Sequence, residues 1–244
     1  ATGDGRGIVD VSLTDDGGRV WFAGSSGTFG YYDRQQGSVV PHSGPYDVTA
    51  NFTSVSANGE TGSESVHAVD DAGQVLRVTM DGEGLAVDGV AVPGDGAGFT
   101  EVVDHRGALY ATDRAGRLHR SDDGRNWTSK RLAETSIKAL SRTDPGLVAI
   151  DDGGTVYKHV SLFGEDGRTK KAAPSISSPE ELEALEETII AVGGGGTLLV
   201  IDGAGRASEE PIDVGETLYA AEVLDDGTIL AAGSSGVVVE GKPQ

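Results

Sequence analysis

The sequence predicts an all-β chain, a six-bladed β-propeller of four-stranded antiparallel blades, and three observations carry that prediction. A short phrase recurs six times, a strand-like stretch precedes each copy, and Asp-Gly pairs stand where tight turns are needed. The phrase is an apolar run, then Gly or Asp, two small or polar residues, a fixed Gly and a second apolar run. Its copies are VWFAGSSGTFGYY from Val20, VHAVDDAGQVLRV from Val66, LYATDRAGRLHRS from Leu109, LVAIDDGGTVYKH from Leu147, IIAVGGGGTLLVI from Ile189 and ILAAGSSGVVVEG from Ile229. The fixed glycines are Gly27, Gly73, Gly116, Gly154, Gly196 and Gly236, spaced 46, 43, 38, 42 and 40 residues apart. Repeats that run from end to end leave room for one domain, with blades at about 8–44, 45–96, 97–134, 135–176, 177–214 and 215–244.

Within each blade the stretch before the phrase is strand A. These stretches are IVDVSL from Ile8, FTSVSA from Phe52, FTEVVD from Phe99, IKALSR from Ile137, LEALEE from Leu182 and LYAAEV from Leu218, apolar at a period near two. The fifth is in conflict with its surroundings, because Ser178, Pro179 and the following glutamates spell a helix start. The repeat register favours a strand beginning at Leu182, after one helical turn at most. The phrase itself is the B–C hairpin, whose fixed Gly supplies a positive φ. Asp81-Gly82, Asp123-Gly124, Asp166-Gly167 and Asp202-Gly203 mark turns between strands C and D, and Asp16-Gly17 and Asp226-Gly227 turns between A and B. Eight residues follow Gly236. The last blade is therefore expected either to stop at three strands or to be completed by sequence beyond this stretch.

Composition bounds the function. Thirty-nine acidic residues against nineteen basic ones give a net charge of −20, and only six of the basic residues are Lys. Such a chain repels itself unless salt screens it, which resembles the composition of salt-adapted haloarchaeal proteins. An acidic surface made for one basic partner is the alternative. No basic stripe exists to displace counterions, so nucleic acid is not an expected partner. No apolar run approaches the ~18 residues of a membrane span. Zero cysteines exclude disulfides, thiolate catalysis and Cys-ligated zinc. The start ATGDGRGIVD has neither a basic segment nor an apolar one, and so does not read as a signal peptide; a trimmed Met, a cleaved signal or a cropped chain would all begin this way. The cytoplasm of a halophile is the expected location, with the cell surface or secretion as the alternative, and a monomer is the expected state.

At the third repeat, HRSDDGRNWTS, with Ser121, Asp123, Gly124 and Trp127, resembles an Asp-box of the BNR-repeat propellers. The resemblance implies that Asp and Ser satisfy the C–D turn while Trp packs between blades. FAGSSGTFGYYD and AVGGGGTLLVID also resemble repeats of the photosystem II assembly factor family, the Ycf48-like propellers. That likeness implies a scaffold more than an enzyme, since one propeller frame hosts unrelated activities. Sialidases share the Asp-box, but they require an arginine triad, a Tyr nucleophile with its Glu and a Phe/Tyr-Arg-Ile-Pro motif. That motif is missing from this sequence, and Arg6, Arg19, Arg77, Arg114, Arg117 and Arg142 do not recur at one position. Nothing singles out a glycosidase carboxylate pair among the acids.

His42, His67, His105, His119 and His159 occupy unlike positions, so they do not form a ring of metal ligands. Gly193 to Gly196 aligns with five other turns and lacks a following Gly-Lys-Ser/Thr, which argues against a phosphate loop. Asp70, Asp71, Asp113, Asp151 and Asp152 fall at B–C turns. Either they gather round a channel mouth and offer oxygen ligands to a cation, or they are there because short acids suit turns and salt-adapted surfaces. No cofactor and no bound metal are otherwise expected. The longer D–A loops, Pro41 to Asp47, Val87 to Gly98 and Thr169 to Glu181, carry His42, Tyr46, Lys170 and Lys171; with Arg114 beside Asp113 these are the candidates for a face that binds a protein partner. The expectation is a non-enzymatic scaffold. A carbohydrate-binding or glycosidase-like surface protein is the alternative, and a piece of a larger cell-surface or viral structure a third reading.

Overall fold

The computed structural model describes residues 7–42, 44–143, 146–160, 170–172, 176, 178–185, 188–202, 207–210, 212–224 and 226–242. Its contacts divide the chain into two compact units, Ala1–Arg131 and Leu132–Gln244. The first holds β1 (Ile8–Leu13), β2 (Arg19–Gly24), β3 (Phe29–Asp33), β4 (Ser38–Pro41), β5 (Phe52–Asn58), β6 (Ser65–Asp70), β7 (Val75–Asp81), β8 (Gly84–Ala91), β9 (Phe99–His105), β10 (Ala108–Asp113), β11 (Arg117–Ser121) and β12 (Thr128–Arg131). The second holds β13 (Ile137–Thr143), β14 (Gly146–Asp151), β15 (Val156–Val160), β16 (Lys170–Ala172), β17 (Pro179–Leu185), β18 (Thr188–Gly193), β19 (Leu198–Ile201), β20 (Ala207–Glu210), β21 (Leu218–Val223), β22 (Ile229–Gly233) and β23 (Val238–Gly241). Each run of four makes one antiparallel sheet in chain order, and the sixth sheet has three strands among the described residues. The fold is a six-bladed β-propeller.

The core lies between the sheets. In the first unit β1 and β2 pack on β5, and β5 and β6 on β9; in the second β13 packs on β17, and β17 and β18 on β21. Strand B of a blade is thus covered on both sides, which is why VHAV, LVAI and IIAV are unbroken buried runs where a half-exposed strand would alternate. Between blades 1 and 2, the Trp21 ring packs at a tilt against Phe29 and Tyr31, with centroids 5.3 Å and 4.9 Å away, and Phe29 reaches Phe52 at 5.8 Å. Each of these fully buried side chains contributes about 1.5–3 kcal/mol.

Strand A forms one edge of every sheet, and its outward N–H groups need partners. Side chains of the preceding blade supply them: Asp10 Oδ2 accepts from Val55 N at 2.8 Å and Ser12 Oγ from Ala57 N at 3.0 Å. One blade on, Ser54 Oγ accepts from Val102 N at 3.2 Å and Ser56 Oγ from Asp104 N at 3.1 Å.

Three expectations are corrected. The fifth blade's first strand runs Pro179–Leu185, with Pro179 opposite Gly193, so it begins three residues before Leu182 and no helical turn precedes it among the described residues. A Pro is compatible with the first position of an edge strand, where its missing N–H disturbs no ladder bond. Val87–Ala91 lies in β8, and Lys170–Ala172 is β16, paired with β15, so neither is loop. The turn at Asp166-Gly167 and the glycine of Asp202-Gly203 lie outside the described residues.

Candidate binding face

The B–C turns share one construction in all six blades. The residue after the Asp-or-Gly position, Ser25, Asp71, Arg114, Asp152, Gly194 or Ser234, donates its backbone N–H to the carbonyl just before strand A, of Gly7, Asn51, Gly98, Ser136, Ser178 or Thr217, at 2.8–3.0 Å. Beside this bond every strand A carries a β-bulge, which leaves Val9, Thr53, Thr100, Lys138, Glu180 and Tyr219 outside the register. Bulges re-aim side chains next to functional surfaces. The fixed glycine adds close approach to its positive φ: a Cβ on Gly27, Gly154 or Gly196 would enter the carbonyl of Val48, Ile176 or Val214 on the loop leaving the same blade.

Two turn chemistries use this frame. In blades 2, 3 and 4 a buried Asp locks the turn. Asp70 accepts from Ala72 N (3.0 Å), Gln74 N (2.8 Å) and Gln74 Nε2 (2.8 Å). Asp113 accepts from Ala115 N (2.9 Å) and Arg117 N (2.8 Å) and meets His119 Nε2 at 2.9 Å. Asp151 accepts from Thr155 N (2.9 Å) and Tyr157 Oη (2.7 Å). Burial raises the Asp70 pKa, against the lowering effect of its donors. Burial and the Asp151 carboxylate push the Tyr157 phenol up to about 12. In blades 1, 5 and 6 a Gly takes the Asp position, and Ser26, Gly195 and Ser235 adopt φ of 53°, 67° and 60°.

The carboxylates of these turns are engaged locally. Asp70, Asp113 and Asp151 are each held inside their own turn, 5% exposed or less, and no group of three metal-ligating side chains occurs among the described residues. Their neighbours differ. Asp71 accepts from Asn51 Nδ2 at 2.8 Å, while Asn51 Oδ1 accepts from Ser26 N at 3.0 Å, so the turns of blades 1 and 2 are tied through one amide. Arg114 is exposed, with no ion pair for its guanidinium among the described residues. Asp152 stands 3.6 Å from Lys138, the bulged residue of β13.

His42 belongs to the packing instead of a binding loop. Its ring lies against Trp21 and Tyr31, its Nε2 is buried without a partner, and burial, with Arg19 nearby, lowers its pKa. Tyr46 lies in the short 3-10 turn Pro45–Asp47, with its side chain outside the described residues. Lys170 and Lys171 pair with Lys158 and Tyr157 as a fourth strand, with their side chains likewise outside.

In the turn from Ser121 to Trp127, Asp123 Oδ1 accepts from Arg125 N (2.9 Å) and Asn126 N (2.7 Å), and Ser121 Oγ donates to Asp123 at 3.1 Å. These donors hold the Asp123 pKa well below the usual carboxylate range. Gly124 sits over His67 Nε2 of blade 2, and Trp127 is half-buried against the cluster of Val69, Val75, Phe99 and Val102.

Sequence reasoning missed the bulged positions, which no residue type marks, and a buried group on the opposite ends of the strands. There Arg19 meets Glu64 at 3.0 Å with its guanidinium 4.4 Å from the Tyr31 ring, and Trp21 Nε1 donates to the same Glu64 oxygen at 3.2 Å. Arg19 was passed over because it has no counterpart in the other repeats.

No protein-family model matches the chain, and no curated protein does. Among solved structures it is similar to a chain of the mitotic checkpoint complex, with TM-score 0.77, 11% identity, and 98% of this chain and 76% of that one covered. It is similar to YCF48 bound to D1 peptide, with TM-score 0.72, 17% identity, and 96% and 77% covered. The β-propeller domain of Cps50 (Swd1) of Myceliophteria thermophila gives TM-score 0.75, 15% identity, and 97% and 84% covered. At these identities the likeness establishes a shared fold.

Proposed function

We propose that this propeller is a non-enzymatic scaffold whose B–C and D–A loops bind a segment of a protein partner, and that it works as a monomer in the salt-rich cytoplasm of a halophile. One observation carries the binding reading: six turns are held to their strands by the same backbone bond, while the residues at and beside that bond vary freely, from Ser25 to Arg114 to Asp152 and from Val9 to Tyr219. A rigid frame with variable exposed side chains is what recognition requires. The locked carboxylates at Asp70, Asp113 and Asp151 support binding over hydrolysis, because none is free to act as acid, base or nucleophile. Similarity to YCF48 bound to D1 peptide supports a peptide-like occupant. The −20 charge supports the salt-rich setting.

The test is affinity purification from the native host at the host's own salt, with wild type beside an Arg114→Ala, Asp152→Ala, Tyr219→Ala variant. A stoichiometric protein recovered by wild type and lost by the variant is expected. Recovery of the propeller alone, or equal recovery by the variant, overturns this reading of the face.

A further inference from the structure

One of the three asparagines, Asn58, is followed by glycine, the pair in which a backbone nitrogen attacks the side-chain amide with least steric hindrance. A backbone demand fixes that glycine. Gly59 has a φ of 105° at the turn between β5 and β6, and a Cβ on it would stand 3.2 Å from Glu64 Cα. Asn58 is exposed and is the last residue of β5, paired with Ser65.

Both reacting groups are held by neighbouring blades. The Gly59 N–H donates to Asp15 Oδ2 of blade 1 at 3.1 Å, and the Gly59 carbonyl accepts from Asp15 N at 3.0 Å. Asn58 Nδ2 donates to Asp104 Oδ1 of blade 3 at 3.1 Å. Asp16 reinforces the first seam, its Oδ1 accepting from Thr61 Oγ1 at 2.8 Å. Deamidation needs a different arrangement, because the Gly59 nitrogen must lose its proton and turn onto Asn58 Cγ. A carboxylate on that N–H disfavours the amide anion, and Asp104 ties the side-chain amide to blade 3, so this end of the blades has to open first.

We propose that Asn58 is a deamidation site that latches these seams open: closed blades protect it, and a lasting opening lets it react and prevents return. In the open state the Gly59 nitrogen bonds to Asn58 Cγ, and the Cγ–Nδ2 bond breaks. The nitrogen's proton passes through water to the departing Nδ2, which leaves as ammonia. Water then opens the five-membered imide at either carbonyl, leaving aspartate or isoaspartate at position 58. Either product replaces the donor that faced Asp104 with a carboxylate, so like charges oppose each other across a seam of a chain already at −20. Isoaspartate also adds a backbone atom between β5 and Gly59, which moves that amide off Asp15. The site lies at the strand ends opposite the B–C turns and stands or falls without the binding face.

Peptide mapping by mass spectrometry tests it, on the whole chain incubated at neutral pH, with a capped peptide of residues 56–61 as the unprotected reference. Deamidation at Asn58 should be about tenfold or more slower in the folded chain than in the peptide. Asp15→Ala and Asp104→Ala should each speed it severalfold in the folded protein. Urea below the unfolding transition should do the same to wild type, which keeps the test open should a variant not fold. Asn58→Asp should lower Tm, and lower it more in dilute buffer than in molar KCl. Equal rates in chain and peptide, no acceleration by the variants or by urea, or an unchanged Tm for Asn58→Asp would each overturn the inference.

Discussion

Arg19 and Glu64, 45 residues apart in sequence, meet at 3.0 Å with 1% and 0% of their side chains exposed. Glu64 also accepts from Trp21 Nε1, so one carboxylate joins the cation and the indole at the contact between blades 1 and 2. Arg19→Met leaves the buried Glu64 carboxylate without a cation and should cost about 3–5 kcal/mol. Glu64→Gln should cost less, because Glu83 at 3.1 Å and Asp33 at 3.9 Å remain beside Arg19. The double variant should recover part of the Arg19→Met loss. Chemical denaturation of the three variants checks the cycle; additive losses would mean that the pair is not coupled.

The buried His67 makes stability depend on pH. Burial, with Arg77 nearby, pushes its pKa down to about 4, below the ordinary value of 6.5. The unfolded chain therefore binds the proton first, and the contribution present above pH 6.5 is lost as pH falls toward 4. The full loss is about 3 kcal/mol. His67→Leu should flatten the stability curve over that window, and an unchanged slope would place the titration elsewhere.

Trp127 is half-buried, so Trp127→Ala should cost about 2 kcal/mol, less than the ~3–5 of a fully enclosed aromatic. Asp123→Ala takes the acceptor from the Arg125 and Asn126 backbone N–H groups and should lower the unfolding midpoint. Urea midpoints decide both.

Two adjacent glycines should respond oppositely. Gly196→Ala places a Cβ into the Val214 carbonyl at a φ of 73°, and the left-handed backbone alone costs about 1–2 kcal/mol. Gly195 has open space around it and Ser occupies the same position in blades 1 and 6, so Gly195→Ser should shift Tm little.

Salt should stabilise the chain well past physiological strength. At a Debye length of ~8 Å neighbouring surface carboxylates still repel, and at ~3 Å they do not. Tm should rise from 0.1 M into molar KCl; a plateau at low salt would remove the halophilic reading.

The blades were legible because their turns impose a backbone that only a few residues accept, and Gly27 through Gly236 record that demand locally. What was illegible is non-local. Arg19 finds Glu64 only after two blades stack, and the bulges at Val9 or Tyr219 come from a register that no single strand specifies. Asp70, Asp113 and Asp151 stood at the right turns, but the backbone N–H groups that each one caps could not be read from the sequence. Ser178-Pro179-Glu180 reads as a helix start, and pairing with β18 overrides it.

The hydroxyls and carboxylate of one strand A are matched to the backbone spacing of the next. Asp10 and Ser12 cap the strand that opens with Phe52, and Ser54 and Ser56 cap the one that opens with Phe99. Blade 6 offers Ala220 at the first of these positions, so it cannot stand in for blade 1 or 2 without orphaning a donor. The repeats look interchangeable on paper, yet a copy of blade 6 set in the place of blade 1 or 2 should fail at that seam, for want of an acceptor at Ala220, before it fails in any hydrophobic core.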